Sequence, residues 1–172
     1  MQTWYMVTVV GRDRPGIVAR VSQALYRGGC QLGEAAMMRL GGNFTMMFMV
    51  RPPGGVDLEA LLAEPAAALS LRVHVDPIEG RLHDHVAPNL RVDVHGADRP
   101  GIVAQVTAAL AEAGANILDL ASDVAGSDAA PIYIMHIEAR CAGGVEAVEA
   151  ALAPLRGQGI EVHVSGIETL IG

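Results

Sequence analysis

The tetrapeptide Asp-Arg-Pro-Gly occurs twice in this chain of 172 residues, at positions 13–16 and 98–101. Each copy has a glycine two residues before its Asp (Gly11, Gly96) and Ile-Val-Ala directly after its last Gly. An aspartate can accept hydrogen bonds from an ammonium, and a glycine lets a ligand come close to the main chain. A helix beginning here would add unpaired N–H groups and a partial positive charge, which suit a carboxylate or a phosphate. The segment is not a P-loop, because no Gly-Lys-Ser/Thr follows, and G-x-G-x-x-G is absent. No cofactor is therefore expected. Asp is also a favoured N-cap, and Pro is at home in the first helical turn. Asp13 and Asp98 thus read as caps of a helix start and as candidate ligand groups. The two roles are compatible, since one oxygen can cap while the other faces a ligand ammonium. Arg14 and Arg99 either pair with a carboxylate or, as is commoner for an arginine at this place, stay solvated or interact with the neighbouring domain.

The elements around these segments repeat as well. The match runs on at the same offset of 85 (Gly11 to Gly96) through Val21/Val106, Ala24/Ala109, Leu25/Leu110 and Gly29/Gly114. Near the end of each copy, Val73-His-Val75 with Ile78-Glu79 matches Val162-His-Val164 with Ile167-Glu168, at an offset of 89 (Val73 to Val162). The second copy therefore holds 4 extra residues, expected in the Val124–Pro131 turn. Similarity at both ends means that a whole domain is duplicated, and two copies are too few for a solenoid. The expected domains are residues 1–79 and 89–172. The polar segment 80–88, bounded by Gly and Pro, reads as a linker.

Within each copy, short β-rich runs ended by Gly (Trp4–Val10, Leu90–His95) are expected strands. Apolar residues at helical spacing then predict helices over Pro15–Arg27 and Pro100–Ala113. Two strands joined by a turn follow, Gln31–Leu40 with Asn43–Arg51, and Asn116–Val124 with Ile132–Arg140. Second helices are expected at Asp57–Leu69, with Pro65 kinking or restarting it, and at Gly144–Arg156. Leu71–Pro77 and Ile160–Gly166 close the copies. The order βαββαβ defines an α+β fold of two ferredoxin-like domains, each a four-stranded antiparallel sheet with two helices on one face.

Alternation puts Phe44, Met46, Phe48 and Val50 on one face and Met47 and Met49 on the other. In the second copy Ile132 and Ile134 oppose Tyr133, Met135 and Ile137. Sheets with helices on one side should be polar on the other. These strands look apolar on both faces, so something is expected to cover the open face, and at least a homodimer is anticipated. A locally Met-rich core is the alternative.

This βαββαβ order, with Asp-Arg-Pro-Gly-Ile between first strand and first helix, resembles the ACT domain, a regulatory module that binds amino acids. Two such domains with little else resemble the glycine cleavage system transcriptional repressor family. The resemblance implies a ligand at an interface between two ACT domains. One side would be the loop before the first helix, here Gly11, Asp13, Gly16 and Ile17, or Gly96, Asp98, Gly101 and Ile102. The other would be an amide at the start of the second strand, here Gln31 or Asn116. Gln31 carries one more methylene than Asn116, so the second copy is the better match. An amide at such a turn can also serve the backbone alone.

Composition narrows the function. A formal net charge of −7 without a basic block argues against direct nucleic-acid contact, and no helix-turn-helix is evident. It also argues against an anionic membrane surface. Nothing near the N-terminus reads as a signal peptide, and no apolar run approaches a membrane span, so a cytoplasmic location is the default. Cys30 and Cys141 form no CxxC pair, and Cys30 reads as a small buried hydrophobe. His83 and His85 sit in the linker without a supporting shell, so no metal site is expected. His74 and His163 are repeat-equivalent and fall on the outer sheet face. The serines Ser22, Ser70, Ser122, Ser127 and Ser165 lack a nucleophile signature, so no enzyme is expected. What remains is a regulator that senses a small amino acid, of the glycine or serine class. Transcriptional control would then run through a protein partner, a transcription factor. The alternative is an ACT interaction module without a ligand.

Overall fold

The computed structural model describes residues 3–78, 86–97, 99–127 and 130–167. The chain divides into two compact units, Met1–Asp84 and His85–Gly172. The first unit, domain 1, runs β1 (Tyr5–Arg12), α1 (Ile17–Arg27), β2 (Gln31–Leu40), β3 (Asn43–Arg51), α2 (Leu58–Leu69) and β4 (Arg72–Pro77). The second unit, domain 2, runs β5 (Leu90–Ala97), α3 (Ile102–Glu112), β6 (Asn116–Ser127), β7 (Ala130–Arg140), α4 (Gly144–Arg156) and β8 (Ile160–Gly166). Each unit holds a four-stranded sheet, ordered β2-β3-β1-β4 and β6-β7-β5-β8. All pairings are antiparallel. Of the expected linker, residues 80–85 lie outside the described residues.

Periodicity explains the layering. In domain 1, α1 buries Ile17, Val21 and Leu25, one per turn, while β1 buries Val7 and Val9 and β3 buries Phe44, Met46, Phe48 and Val50. In domain 2 the same layer is Ile102, Val106 and Leu110 of α3, Val92 and Val94 of β5, and Met135, Ile137 and Ala139 of β7. Each fully buried Leu, Ile or Phe contributes roughly 1.5–3 kcal/mol, so these periodic residues dominate the stability of both domains. Helix α2 is capped by Asp57, whose Oδ1 accepts from Glu59 N at 2.9 Å and Ala60 N at 3.2 Å. It runs without interruption through Pro65, so it does not restart there. Proline here costs one backbone donor, but Pro65 is itself buried in the helix's apolar face, which offsets that loss.

The extra residues of domain 2 do not enlarge the turn, as expected, but lengthen the hairpin. The β2–β3 ladder ends at Leu40↔Asn43, closed by Gly41 and Gly42 at φ 55° and 74°, the two left-handed residues of a tight hairpin turn. The β6–β7 ladder passes the equivalent pair, Ala125↔Ile132, and adds Gly126↔Pro131 and Ser127↔Ala130.

The open sheet faces differ between the domains. In domain 1 that face carries Met6, Thr8 and Val10 of β1, Met47 and Met49 of β3, and Ala36 and Met38 of β2, with Arg72, His74 and Asp76 along its β4 edge. Met38 and Met47 are 53% and 45% exposed, large for residues that an apolar environment would favour. In domain 2 the register-equivalent positions are Arg91, Asp93 and His95 of β5 and His136 and Glu138 of β7. The expectation of two apolar faces therefore holds over β1, β2 and β3 of domain 1, not over its β4 edge, and fails for domain 2. There Ile132 and Ile134 lie only at the hairpin end of a strand whose open face turns charged.

Candidate functional site

The helix starts depart from the expected capping. Helix α1 begins at Ile17, and its N-cap is Gly16, at φ 89° and ψ −2° with no side-chain cap. Helix α3 begins at Ile102 after Gly101, at φ 95° and ψ −5°. Asp13 does not cap α1. The residue before a proline is disfavoured in the helical region, so Arg14 cannot join the helix, and Pro15-Gly16 forms a turn instead. A β-carbon on Gly16 or Gly101 would meet no atom within 4 Å, so the left-handed φ, not crowding, calls for glycine. With no cap side chain, the first-turn N–H groups are left for water or an incoming acceptor.

Asp13 turns toward the hairpin. Its backbone N donates to Gly42 O at 3.0 Å. Its Oδ2 accepts from Arg39 Nε at 2.6 Å, with the Asp13 side chain 25% and the Arg39 side chain 67% accessible. Arg39 did not stand out in the sequence, because an arginine near a hairpin turn is ordinary until the register shows what it faces. Val124 occupies its position in domain 2: Arg39 pairs with Phe44 as Val124 pairs with Tyr133. Asp98 lies outside the described residues.

The other expected residues divide into backbone and side-chain roles. Ile17 and Ile102 are 2% exposed and belong to the cores, so they face a ligand through N–H alone. At Gly11 a β-carbon would stand 2.5 Å from Leu71 Cδ2, so the Leu71 side chain would have to shift to admit one. Gly96 is under ordinary contact, 3.5 Å from Gly159 O. Arg99 Nη2 reaches Gln105 Oε1 at 3.4 Å.

The amides lie far from the loops of their own domains. Gln31 pairs with Arg51 at one end of β3, whereas the Asp13 loop adjoins Asn43 at the other end. Eight residues separate Asn43 and Arg51, about 26 Å at ~3.3 Å per residue. Asn116 pairs with Arg140 while Ala97 pairs with Ile132, which gives the same separation in domain 2. One small molecule cannot touch both within a single domain. The environments of the amides also differ. Arg51 donates to Gln31 Oε1 and lies 5.1 Å over the Trp4 ring. Asn116 makes no side-chain hydrogen bond to a described residue.

Recesses occur elsewhere. One of about 270 Å³ is lined by Arg20, Gln23, Arg27 and Glu64 on the helical layer of domain 1. Another of about 300 Å³ is lined by Arg91, Asp93, Asp119, His136 and Glu138 on the open face of domain 2. Arg91 donates to Glu138 at 2.8 Å, which together with the Glu138 charge raises the Arg91 pKa above its ordinary value. His136 pairs with Asp93. Among the described residues, no group of three or more His, Cys, Asp or Glu is placed to hold a metal, and no helix is long and apolar enough to cross a membrane.

Two βαββαβ domains, each with a glycine at the start of its first helix, define a tandem ferredoxin-like protein. Residues 4–76 and residues 90–157 each match the ACT domain, and the chain belongs to the ACT-domain family. It is 24% identical over 139 residues to the glycine cleavage system transcriptional repressor of Escherichia coli K12, covering 80% of this chain and 73% of that protein. The repressor of Shigella flexneri matches to the same extent. Among solved structures, an unknown protein of Galdieria sulphuraria superposes with a TM-score of 0.76 at 25% identity, covering 98% of this chain and all of that one. A candidate glycine cleavage system transcriptional repressor gives 0.71 at 16% identity over 98% of this chain and 99% of its own, which shows the shared fold. The chain is thus a regulatory ACT-domain protein related to that repressor.

Proposed function

We propose that this protein is a non-catalytic cytoplasmic sensor of a small amino acid, glycine or serine in class, and that it signals through a protein partner. The observation that carries the reading is the pair of helix starts at Gly16 and Gly101, which have no side-chain cap. Their N–H groups suit the ligand carboxylate. Asp13 or Asp98 would take the ammonium, and Gln31 or Asn116 the remaining polar edge. Because loop and amide lie about 26 Å apart in one domain, two domains must combine to make a site. Ligand at such an interface favours the arrangement it binds better, which is how it would act. The kinship with a transcriptional repressor supports a role in transcriptional control of amino-acid metabolism. The charge of −7 favours a transcription-factor partner over direct DNA contact.

The apolar open face of domain 1 supports a homodimer. Its methionines gain by meeting another apolar surface, and a second copy of the chain supplies one.

A calorimetric and thermal-shift screen of the common amino acids tests the sensor. A ligand with Kd well below ~1 mM stabilises the protein measurably when in excess. Asn116→Ala should abolish the response without unfolding the protein. If no amino acid binds, the second reading stands, an interaction module without a ligand. Domain 1 favours that reading for itself, since Asp13 and Gln31 are both held by arginines.

A further inference from the structure

We infer that Arg39 closes the helix-start site of domain 1 by holding the Asp13 carboxylate that a ligand ammonium would take. The inference rests on the amino-acid-sensing reading. Arg39 Nε meets Asp13 Oδ2 at 2.6 Å. The contact is fixed from both sides. The Asp13 N–H is bonded to Gly42 O at 3.0 Å, and Gly42 belongs to the two-residue turn that follows Leu40. Hairpin and loop are therefore tied to each other, with Arg39 two residues from the turn.

An incoming ammonium must displace a cation already tethered beside the carboxylate. A group on a short tether competes as if present at about millimolar concentration or above, which disfavours a weakly held free amino acid. In domain 2 the position is Val124, an uncharged side chain that cannot hold a carboxylate. Duplication thus supplied two copies of Asp-Arg-Pro-Gly, and a single exchange between Arg and Val at one register position separates them.

Titration calorimetry with glycine, serine and the other common amino acids tests this on wild type, Arg39→Val, Arg39→Lys and Asp13→Asn/Arg39→Val. Circular dichroism confirms folding, which an exposed strand valine should preserve. The expected result is one equivalent per chain for wild type and Arg39→Lys, two for Arg39→Val, and one again for the double variant. Binding by Arg39→Val but not by wild type also supports the closure, while removing the sensor reading for domain 2. Equal non-zero stoichiometry for wild type and Arg39→Val overturns the closure and leaves sensing intact. No binding by either overturns both, because opening the site then reveals nothing.

Discussion

Gly16→Ala and Gly101→Ala isolate what the helix starts require. At both positions a β-carbon meets no atom within 4 Å, so neither substitution causes a clash. The φ angles of 89° and 95° remain, and there a non-glycine residue costs roughly 1–2 kcal/mol. Stiffening of the unfolded chain by alanine adds to stability only where the native φ suits it, which is not the case here. A domain of this size loses about 4–8 °C of Tm per kcal/mol, so each variant should melt ~4–16 °C lower in its own domain. Gly54→Ala is the control, since it too meets nothing within 4 Å but does not have a left-handed φ. It should be neutral or gain ~0.4–1 kcal/mol. Asn at position 16 should cost less than Ala, because Asn tolerates the left-handed region. Differential scanning calorimetry reads all four, with the two domains fitted separately. If Gly16→Ala melts with Gly54→Ala, the left-handed start is not needed and the uncapped donors lose their structural basis. Gly101→Ala should also weaken amino-acid binding, by redirecting the first-turn N–H groups.

Gly11→Ala drives a methyl to 2.5 Å from Leu71 Cδ2 and should cost about 1–3 kcal/mol by overpacking; Leu71→Val in the same chain should recover part of it in urea titrations. Met47→Glu puts a charge on the apolar open face of domain 1 and should turn a dimer into a monomer by light scattering. His136→Glu, at the equivalent position of domain 2, should leave the mass unchanged. Burial pushes the Cys30 thiol pKa up, so less thiolate is present at a given pH than for a free cysteine. Alkylation by iodoacetamide, followed by mass spectrometry, should be slow at pH 8 and accelerate only at higher pH; a free-cysteine rate at pH 8 would contradict this.

The order of elements was legible because both signals it needs are local. Alternation marks β3, and one apolar residue per turn marks α1 and α3. The bounds of β2, β3, α4 and β8 follow the predicted ones residue for residue. Capping by Asp13 misled because Asp followed by Pro is common to helix starts and to turns, and Gly16 decides between them through its φ. The open face of β7 changes character along its length, apolar at Ile132 and Ile134 and charged at His136 and Glu138, so its first residues do not represent it. Arg39 and the 26 Å between loop and amide depend on strand register, which no short window contains.

Register also shows where the two copies have diverged. Core positions stay apolar in both: Val7 and Val92, Val9 and Val94, Ile17 and Ile102, Val21 and Val106, Leu25 and Leu110 are all buried. The open faces exchange methionine, threonine and valine for arginine, aspartate and histidine. Charge follows the same division. Residues 1–79 hold 7 arginines and 7 acids, whereas residues 89–172 hold 4 and 11, so the net −7 of the chain belongs to the second domain. A core tolerates little change in volume, while an exposed face is free to change once a second copy retains the original role. The apolar face and the arginine-held Asp13 both fall in domain 1, the charged face and the uncharged Val124 in domain 2. Two independent features thus sort the same way, which supports assembly through the first domain and ligand recognition at the helix start of the second. The repeated Asp-Arg-Pro-Gly segment alone would have assigned both domains the same task.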